Sequence, residues 1–504
     1  MKKLLILFFL FFVMFKSQSQ TNSIIDTIEV VRTQAYAKNF AEADRLLTLF
    51  TANKNDVNAF RLHAQVLYWM KDFKSSQDVL KKALSVFPDA YAVKLDYGRL
   101  LFEMGKLNQA RLLLDDYKLN DTNNAEVNIL LAHINFRSGN IKTANERVKD
   151  VLKLYPDNQM ALSIQRDINY NTSPYVTLHG TYHSDDQPLK SSGFEVESGV
   201  YKSWLLSPVL NMRYNHFTLP DSVYNSLWLQ ASDKITFGSS GFSLNMTGGI
   251  FKHHTNNDKT RLTASVLLAQ KLTRYISIEA STAKRPYQYS SASVRIPVMQ
   301  AFSGVALRLN KSDLWLGRSA YEIQKFEDNN KIKTAYLWFL APIVNSKGFT
   351  LHAGYGFNHS NADRNTFTSV KSLNAIISSY TITPVQGYYN PYFTPKNQTV
   401  HSVLVSVKTN LSKSVVFSSR FNLGLSSKAD NPYLYLNKTT AGTFFVDKGY
   451  STISYSPVDF YSQLQVNVSS KATISGSYSY FHPLFYKSHQ AEIQLKYLFS
   501  NEKN

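Results

Sequence analysis

The chain contains no cysteine. That excludes disulfides, a lipid-modified amino-terminal cysteine and thiolate metal ligands, so nothing covalent staples the fold. Proline is sparse, at 15 of 504 residues. Beyond the first fifteen residues no apolar run approaches the eighteen needed for a membrane-spanning helix. A chain of this kind either stays in water or crosses a membrane as strands, because only helices and closed barrels satisfy their backbone groups in hydrocarbon. Catalytic signatures are missing as well. There is no G-x-S-x-G, no H-E-x-x-H, no phosphate-binding P-loop and no EF-hand loop. No enzymatic activity, cofactor or metal is expected. The pair His253 and His254 would point to opposite faces of a strand. Asp185-Asp186 and Glu327-Asp328 read as solvated loop tips in preference to cation sites.

The amino terminus sets the compartment. Lys2 and Lys3 precede an apolar run from Leu4 to Phe15, followed by polar Lys16 to Gln20, which is the pattern of a secretory signal peptide over residues 1–20. Charge is unevenly divided over the remainder. Residues 21–174 hold 20 Lys/Arg against 18 Asp/Glu, whereas residues 175–504 hold 32 against 18. The surplus therefore belongs to the carboxy-terminal part. A pI near 9.5 would suit nucleic acid, but an exported protein rarely meets it, so an anionic polymer or lipopolysaccharide is the expected partner.

Residues 24–168 repeat with a period of 34. Ala64, Gly98 and Ala132 are one such column; Ser76, Ala110 and Ala144 are a second; Phe73, Leu107 and Ile141 are a third; Pro88 and Pro156 lie two steps apart. Small residues are needed where antiparallel helices cross, bulky apolar ones fill the seam, and proline ends a helix. These columns resemble tetratricopeptide repeats. An irregular earlier unit with Phe40, Ala43 and Leu47 brings the array to about three and a half repeats, and Gln159 to Ile168 reads as a closing helix. So short an array depends on its junction with the carboxy-terminal part.

From Pro174 the apolar period changes from 3.6 to 2. Ala491, Ile493, Leu495, Tyr497 and Phe499 alternate with Glu492, Gln494 and Lys496, and Leu210, Met212 and Tyr214 alternate with Asn211, Arg213 and Asn215. Sixteen segments of about ten residues follow this pattern, the length and even number of a transmembrane barrel. Connections alternate in length. Short ones include Leu205 to Pro208, Pro342 to Gly348 and Ser469 to Lys471; the longest, Lys284 to Pro297, Asn361 to Gln398 and Ser426 to Ser456, all fall in the other set. The long set is expected outside the cell and the repeats in the periplasm. Trp204, Phe217, Trp228, Trp315, Trp338, Tyr480 and Phe499 lie near predicted strand ends and are expected in interfacial girdles.

If the more apolar face meets lipid, Arg213, Arg308, Arg318, Lys333, Lys408, Arg420 and Lys496 point inward with Glu197, Glu279, Glu322 and Glu492, giving a net positive pore lining. Inward placement is favoured because an Arg or Lys facing lipid near the midplane costs roughly 2–4 kcal/mol. In the longest loop, Leu373 to Ile377 and the aromatic residues Tyr388, Tyr389, Tyr392 and Phe393 are too apolar to stay in water and are expected to form a lid over the mouth.

The order of signal peptide (1–20), periplasmic helical repeats (21–173) and outer-membrane barrel (174–504) resembles the exopolysaccharide exporters of the cellulose synthase operon C and PgaA type, and the shorter YaiO-like barrels. Two stretches carry local likeness. Phe326-Glu327-Asp328-Asn329-Asn330, with the strand to Pro342, resembles an acidic hairpin tip of those barrels; Gly387 to Pro395 resembles their aromatic element before a strand, with Thr394 in place of serine. The resemblance implies export of a polysaccharide or other polymer, with the repeats recruiting periplasmic or inner-membrane synthase or export proteins. The passenger would be an anionic glycan. The competing expectation is a general porin or a scaffolding outer-membrane protein. The array is far shorter than in the large exporters, which removes a long periplasmic conduit.

Overall fold

The computed structural model describes residues 22–499 except 238–239, 255–258, 274, 312–313 and 380–384. The proposed signal peptide lies outside the described residues. The chain divides into two compact units, Met1–Ile134 and Asn135–Asn504.

Among the described residues, nine helices run from Asn22 to Thr172: α1 (Asn22–Tyr36), α2 (Phe40–Asn53), α3 (Val57–Trp69), α4 (Phe73–Val86), α5 (Tyr91–Glu103), α6 (Leu107–Asn120), α7 (Ala125–Arg137), α8 (Ile141–Leu154) and α9 (Gln159–Thr172). In the first unit α1 with α2, α3 with α4 and α5 with α6 make three tetratricopeptide-type pairs, the first of them completed by α1, whose sequence departs from the columns; in the second unit α8 packs with α9. The turns that follow α1, α3, α5 and α7 each place one residue at positive φ, namely Lys38, Lys71, Gly105 and Gly139. A left-handed residue ends each of these helices sharply, and glycine adopts it without a Cβ penalty.

The columns of small residues are the helix crossings. Ala64, Ser76, Ala110, Ala132 and Ala144 are buried. Ser76 Oγ donates to the carbonyl of Ala64 at 2.7 Å, tying α4 to α3. At Gly98 a Cβ would come within 2.8 Å of the Leu114 side chain, so α5 and α6 meet more closely than any larger residue allows. Phe60, Leu80, Val93, Leu101, Leu114 and Leu131 fill the seam of the first unit.

The second unit is a closed antiparallel barrel of sixteen strands. In chain order these are β1 (Tyr175–Asp185), β2 (Lys190–Gly199), β3 (Val209–Leu219), β4 (Ser222–Phe237), β5 (Phe242–His254), β6 (Lys259–Lys271), β7 (Ile276–Tyr287), β8 (Val298–Lys311), β9 (Trp315–Phe326), β10 (Lys331–Ser346) and β11 (Phe349–Ala362). After a small hairpin, β12 (Phe367–Ser369) with β13 (Gly387–Tyr389), the wall resumes with β14 (Gln398–Asn410) and β15 (Val415–Lys438). It skips β16 (Phe444–Tyr455) and ends with β17 (Val458–Asn467), β18 (Ala472–His482) and β19 (Ser488–Leu498). Pairing of β1 with β19 closes the ring, so no wall edge is left open.

Two departures from the sequence expectation have local causes. Ser426 to Ser456 is not an irregular loop, because β15 runs on for 24 residues and pairs with β16 as a hairpin beyond the ring. Alternating Tyr433, Leu434, Tyr435 and Leu436 favour strand there, and Leu434 is buried. Pro342 lies inside β10, where the ladder to β11 skips a residue before Val344. A bulge is where a strand tolerates a residue with no N–H.

The helical hairpin of this unit is fastened to the short-turn end of the barrel. Tyr201 O–H donates to the carbonyl of Gly139 at 3.2 Å. Trp204 lies against Gly139 and packs edge-on to Phe237 at 5.2 Å. Lys496 sits over the rings of both Tyr170 and Tyr175. Trp204 is thus a fastening for the helices instead of a girdle residue.

Gly98→Val is expected to destabilise the repeats by about 1–3 kcal/mol through overpacking. Adding Leu114→Ala should recover part of that loss, although alone it would cost about 2–5 kcal/mol. Urea unfolding followed by the helical circular dichroism of the full chain checks this; strictly additive losses would contradict the crossing.

Candidate functional site: the barrel lumen and its mouth

Because partners across a ladder share a face, the pairings fix which residues line each side of the wall. One face carries Leu178, Leu210, Met212, Leu262, Ile278, Leu307, Leu337 and Ile493, all exposed. In water this would be prohibitive; against lipid tails it costs nothing. Among the described residues no helix is long and apolar enough to cross a membrane. The chain is an outer-membrane β-barrel with a tetratricopeptide-repeat region.

The other face lines the lumen and carries the charges. Arg213 opposes Glu195, Arg308 opposes Arg318, Glu322 opposes Gly304, and Arg420 opposes Ser406 on β14 and Tyr461 on β17. Lys408 and Lys496 are on the same face, as are Glu197, Glu279 and Glu492. Lys333 is the exception. Its neighbours Ile332 and Thr334 share the face of Glu322 and Gln324, so Lys333 points outward. It lies two residues from the end of β10 and pairs with Asp363 at 2.8 Å, at the rim where water screens the charge. The inward position there is taken by Ile332, which belongs to the apolar seal of the mouth. Phe217, Trp228 and Trp338 also lie on the inward face and belong to no girdle, whereas Trp315 faces outward.

The lumen is divided along its axis. Arg213, Arg308, Arg318, Lys408, Arg420 and Lys496 all lie no more than five residues from the short-turn end of their strands. Many are held in place by carboxylates. Arg213 pairs with Glu195 at 2.6 Å, and Glu279 takes Arg318 at 3.0 Å and Arg308 at 3.5 Å. Tyr336 O–H donates to Glu322 at 3.0 Å and accepts from Arg318 Nε at 2.9 Å.

At the long-loop end two apolar clusters are buried beneath loops that fold inward. The connection between β7 and β8 carries a short helix, α10 (Ser291–Arg295), and folds inward, burying Val294 against Leu189, Phe217 and Leu219. His253 Nε2 donates to the carbonyl of Val294 at 2.7 Å, while its neighbour His254 is exposed. Ser291 Oγ donates to the Gln187 carbonyl, and Arg295 pairs with Asp221 at 2.5 Å. This connection therefore reaches the loops between β1 and β2 and between β3 and β4, six and four strands round the ring.

The loop between β11 and β14 crosses from the other direction. Tyr392 is fully buried, stacked on Phe326 with centroids 3.5 Å apart and planes 6° from parallel. Its hydroxyl donates to the Asp328 carboxylate at 2.7 Å. Burial first, then that carboxylate, raises the Tyr392 pKa well above the usual phenol value. Tyr389 and Phe393 pack on Phe485, which lies in the loop between β18 and β19, six strands round the ring from the Asp328 hairpin. Tyr388 stays exposed. The loop is further fixed by paired hydrogen bonds between Asn330 and Arg364, by Ser290 Oγ to the Pro391 carbonyl, and by Lys448 to Asn365. Leu373 to Ile377 plays no part in the seal. It forms a helix, α11 (Leu373–Ser378), that lies along β16 with none of its residues buried.

The two stretches singled out by resemblance, Phe326 to Asn330 and Gly387 to Pro395, are thus in direct contact. Asp185 and Glu327 serve this end of the fold as well. Asp185 accepts from the backbone of Gln187 and Leu189, and Glu327 pairs with Arg261 at 2.5 Å. Sequence reasoning missed Val294 and the partners Phe326 and Asp328; Ser290, an N-cap just before Ser291–Arg295, was the available sign of a helix in that loop.

Among known proteins, a family model described as tetratricopeptide repeat matches residues 70–134. No curated protein matches the sequence. Among solved structures, a bacterial polysaccharide outer membrane secretin aligns over 65% of this chain and 99% of its own at 7% identity, with a TM-score of 0.45. MamA from Desulfovibrio magneticus RS-1 aligns over 30% of this chain and 85% of its own at 15% identity (TM-score 0.28). YrrB, a TPR protein with an unusual peptide-binding site, aligns over 28% and 73% at 16% identity (TM-score 0.26).

Tyr392→Ala removes the ring that fills the mouth, and single-channel conductance in planar bilayers is expected to rise. Conductance equal to that of the unaltered chain would show that Tyr392 does not seal the lumen.

Proposed function

We propose that this chain conducts a polysaccharide or other polymer outward across the outer membrane. The barrel is the water-filled conduit, the inward-folded loops are its closable exit, and the repeats lie in the periplasm, where they recruit the synthase or export proteins that deliver the polymer. The observation that carries this reading is the axial division of the lumen. A charged, hydrated half at the short turns adjoins an apolar seal at the long loops, which suits a cargo that enters from one side and must displace a lid to leave. Polymer export needs weak, repeated contacts and no covalent step, so no catalytic group is assigned. A permanently open general porin would have no use for a mouth filled by Tyr392 and Val294.

Topology and export are tested together. Single cysteines at Val370 and Ser346 in an otherwise cysteine-free chain are expected to react with an impermeant maleimide in intact cells only at Val370; reaction only at Ser346 would invert the orientation. Deleting the gene is expected to abolish a surface glycan while the polymer accumulates within the envelope, and an unchanged surface glycan would overturn the export reading.

A further inference from the structure

The lumen wall is not uniform around the ring. On β2–β3 and β7–β10 the inward charges close upon one another: Glu195 with Arg213, Glu279 with Arg308 and Arg318, and Glu322 with Tyr336. A guanidinium already engaged by a carboxylate has little left to offer a passing anion. Breaking such a pair leaves an uncompensated charge, so these contacts stiffen the wall.

The wall from β14 to β18 is built differently. Lys408 and Arg420 stand on adjacent strands, both exposed to the lumen, and neither makes an ion pair among the described residues. Ser418 lies directly across from Lys408, and Ser406 directly across from Arg420. Next along the ring come Gln463 opposite Ser418 and Ser477 opposite Gln463. Arg420 rests on the face of Tyr461, its guanidinium carbon 4.7 Å from the ring centroid. That contact holds the guanidinium beside the wall. Backbone donors and acceptors here are consumed by the ladder. What remains to meet a solute is a field of hydroxyls and amides with Lys408, Arg420 and, beside Arg420 on the lumen face of β17, the carboxylate of Asp459, which feels the Arg420 charge without forming an ion pair with it.

We infer that the strip formed by β14, β15, β17 and β18 is the contact surface for the cargo, that the cargo is a carboxylate-bearing glycan, and that Lys408 and Arg420 are the residues that select its charge. The proposal rests on the export reading and narrows it to one wall and one chemical class. Sugar hydroxyls exchange hydrogen bonds with serine and glutamine side chains at little net cost, since each replaces a water contact. A uronate carboxylate meets a guanidinium in a two-pronged geometry and an ammonium as a point charge. Two cations spaced along neighbouring strands, instead of one deep pocket, bind each sugar weakly and hand it on. The ion-paired strands β2–β3 and β7–β10 serve to hold the barrel open.

The test uses the full chain in detergent micelles, with hexagalacturonate and maltohexaose as probes in titration calorimetry. The unaltered protein is expected to bind the acidic oligomer more tightly than the neutral one. Lys408→Gln with Arg420→Gln is expected to weaken binding of the acidic oligomer about tenfold or more, consistent with charge-assisted hydrogen bonds, and to leave the neutral oligomer unaffected. Glu195→Gln with Arg213→Gln, on the braced wall, is expected to change neither by more than about twofold. Heat-modifiable migration on gels confirms that each variant is folded. Equal loss in both double variants, no loss in the first, or no binding of the acidic oligomer by the unaltered chain would each overturn the proposal. Loss of the surface glycan on gene deletion, together with unchanged binding by the Lys408 and Arg420 variant, would overturn the wall and leave export standing.

Discussion

Every residue of a membrane strand must face either lipid or lumen, and the ladder that closes β1 onto β19 makes that choice once for the whole ring. The rest of the second unit depends on this constraint. A slip of one residue in any strand would turn Arg213 or Arg318 toward hydrocarbon and Leu210 or Ile493 toward water, so register, lumen chemistry and membrane insertion are a single property. Hydrophobic exposure that would unfold a soluble protein is here the surface that fits lipid.

The same constraint explains why the lumen holds two chemistries. Near the short turns the inward positions include the paired charges; near the long loops they include Phe217, Leu219, Phe326 and Ile332, with Arg261 and Arg285 among them. An apolar inward surface in a wet channel must be covered, and Val294 and Tyr392 cover it from two loops four strands apart in the ring, joined by Ser290 Oγ and the Pro391 carbonyl. The covering is held by polar contacts at its margin, such as Tyr392 with Asp328 and Asn330 with Arg364, which exchange with water at modest net cost. That combination favours a closed state whose opening is local and does not disturb the wall.

Much of this was legible in the sequence. The 34-residue columns located the helix crossings because small residues recur wherever backbones approach, and Gly98 is the extreme case. Strand number and the side bearing the long loops followed from alternation and spacing alone. Parity failed for Lys333 because the apolar seal reverses the usual rule at the mouth, making the inward residue Ile332. Aromatic position misled for Trp228 and Trp338, since ring type does not tell which face a strand presents. The seal could not be read either. Phe326 and Tyr392 are far apart in the chain and nothing local marks them as partners, and the length of Ser426 to Ser456 concealed a regular hairpin.

The most direct test of the account is the environment of consecutive residues on one strand. With a nitrobenzoxadiazole probe placed in turn on cysteines at Leu210, Asn211, Met212, Arg213 and Tyr214, emission from 210, 212 and 214 is predicted to be quenched by spin-labelled lipid. Emission from 211 and 213 should instead be quenched by aqueous iodide. Quenching by lipid at 211 and 213, or by iodide at all five positions, would contradict the assignment of the two faces.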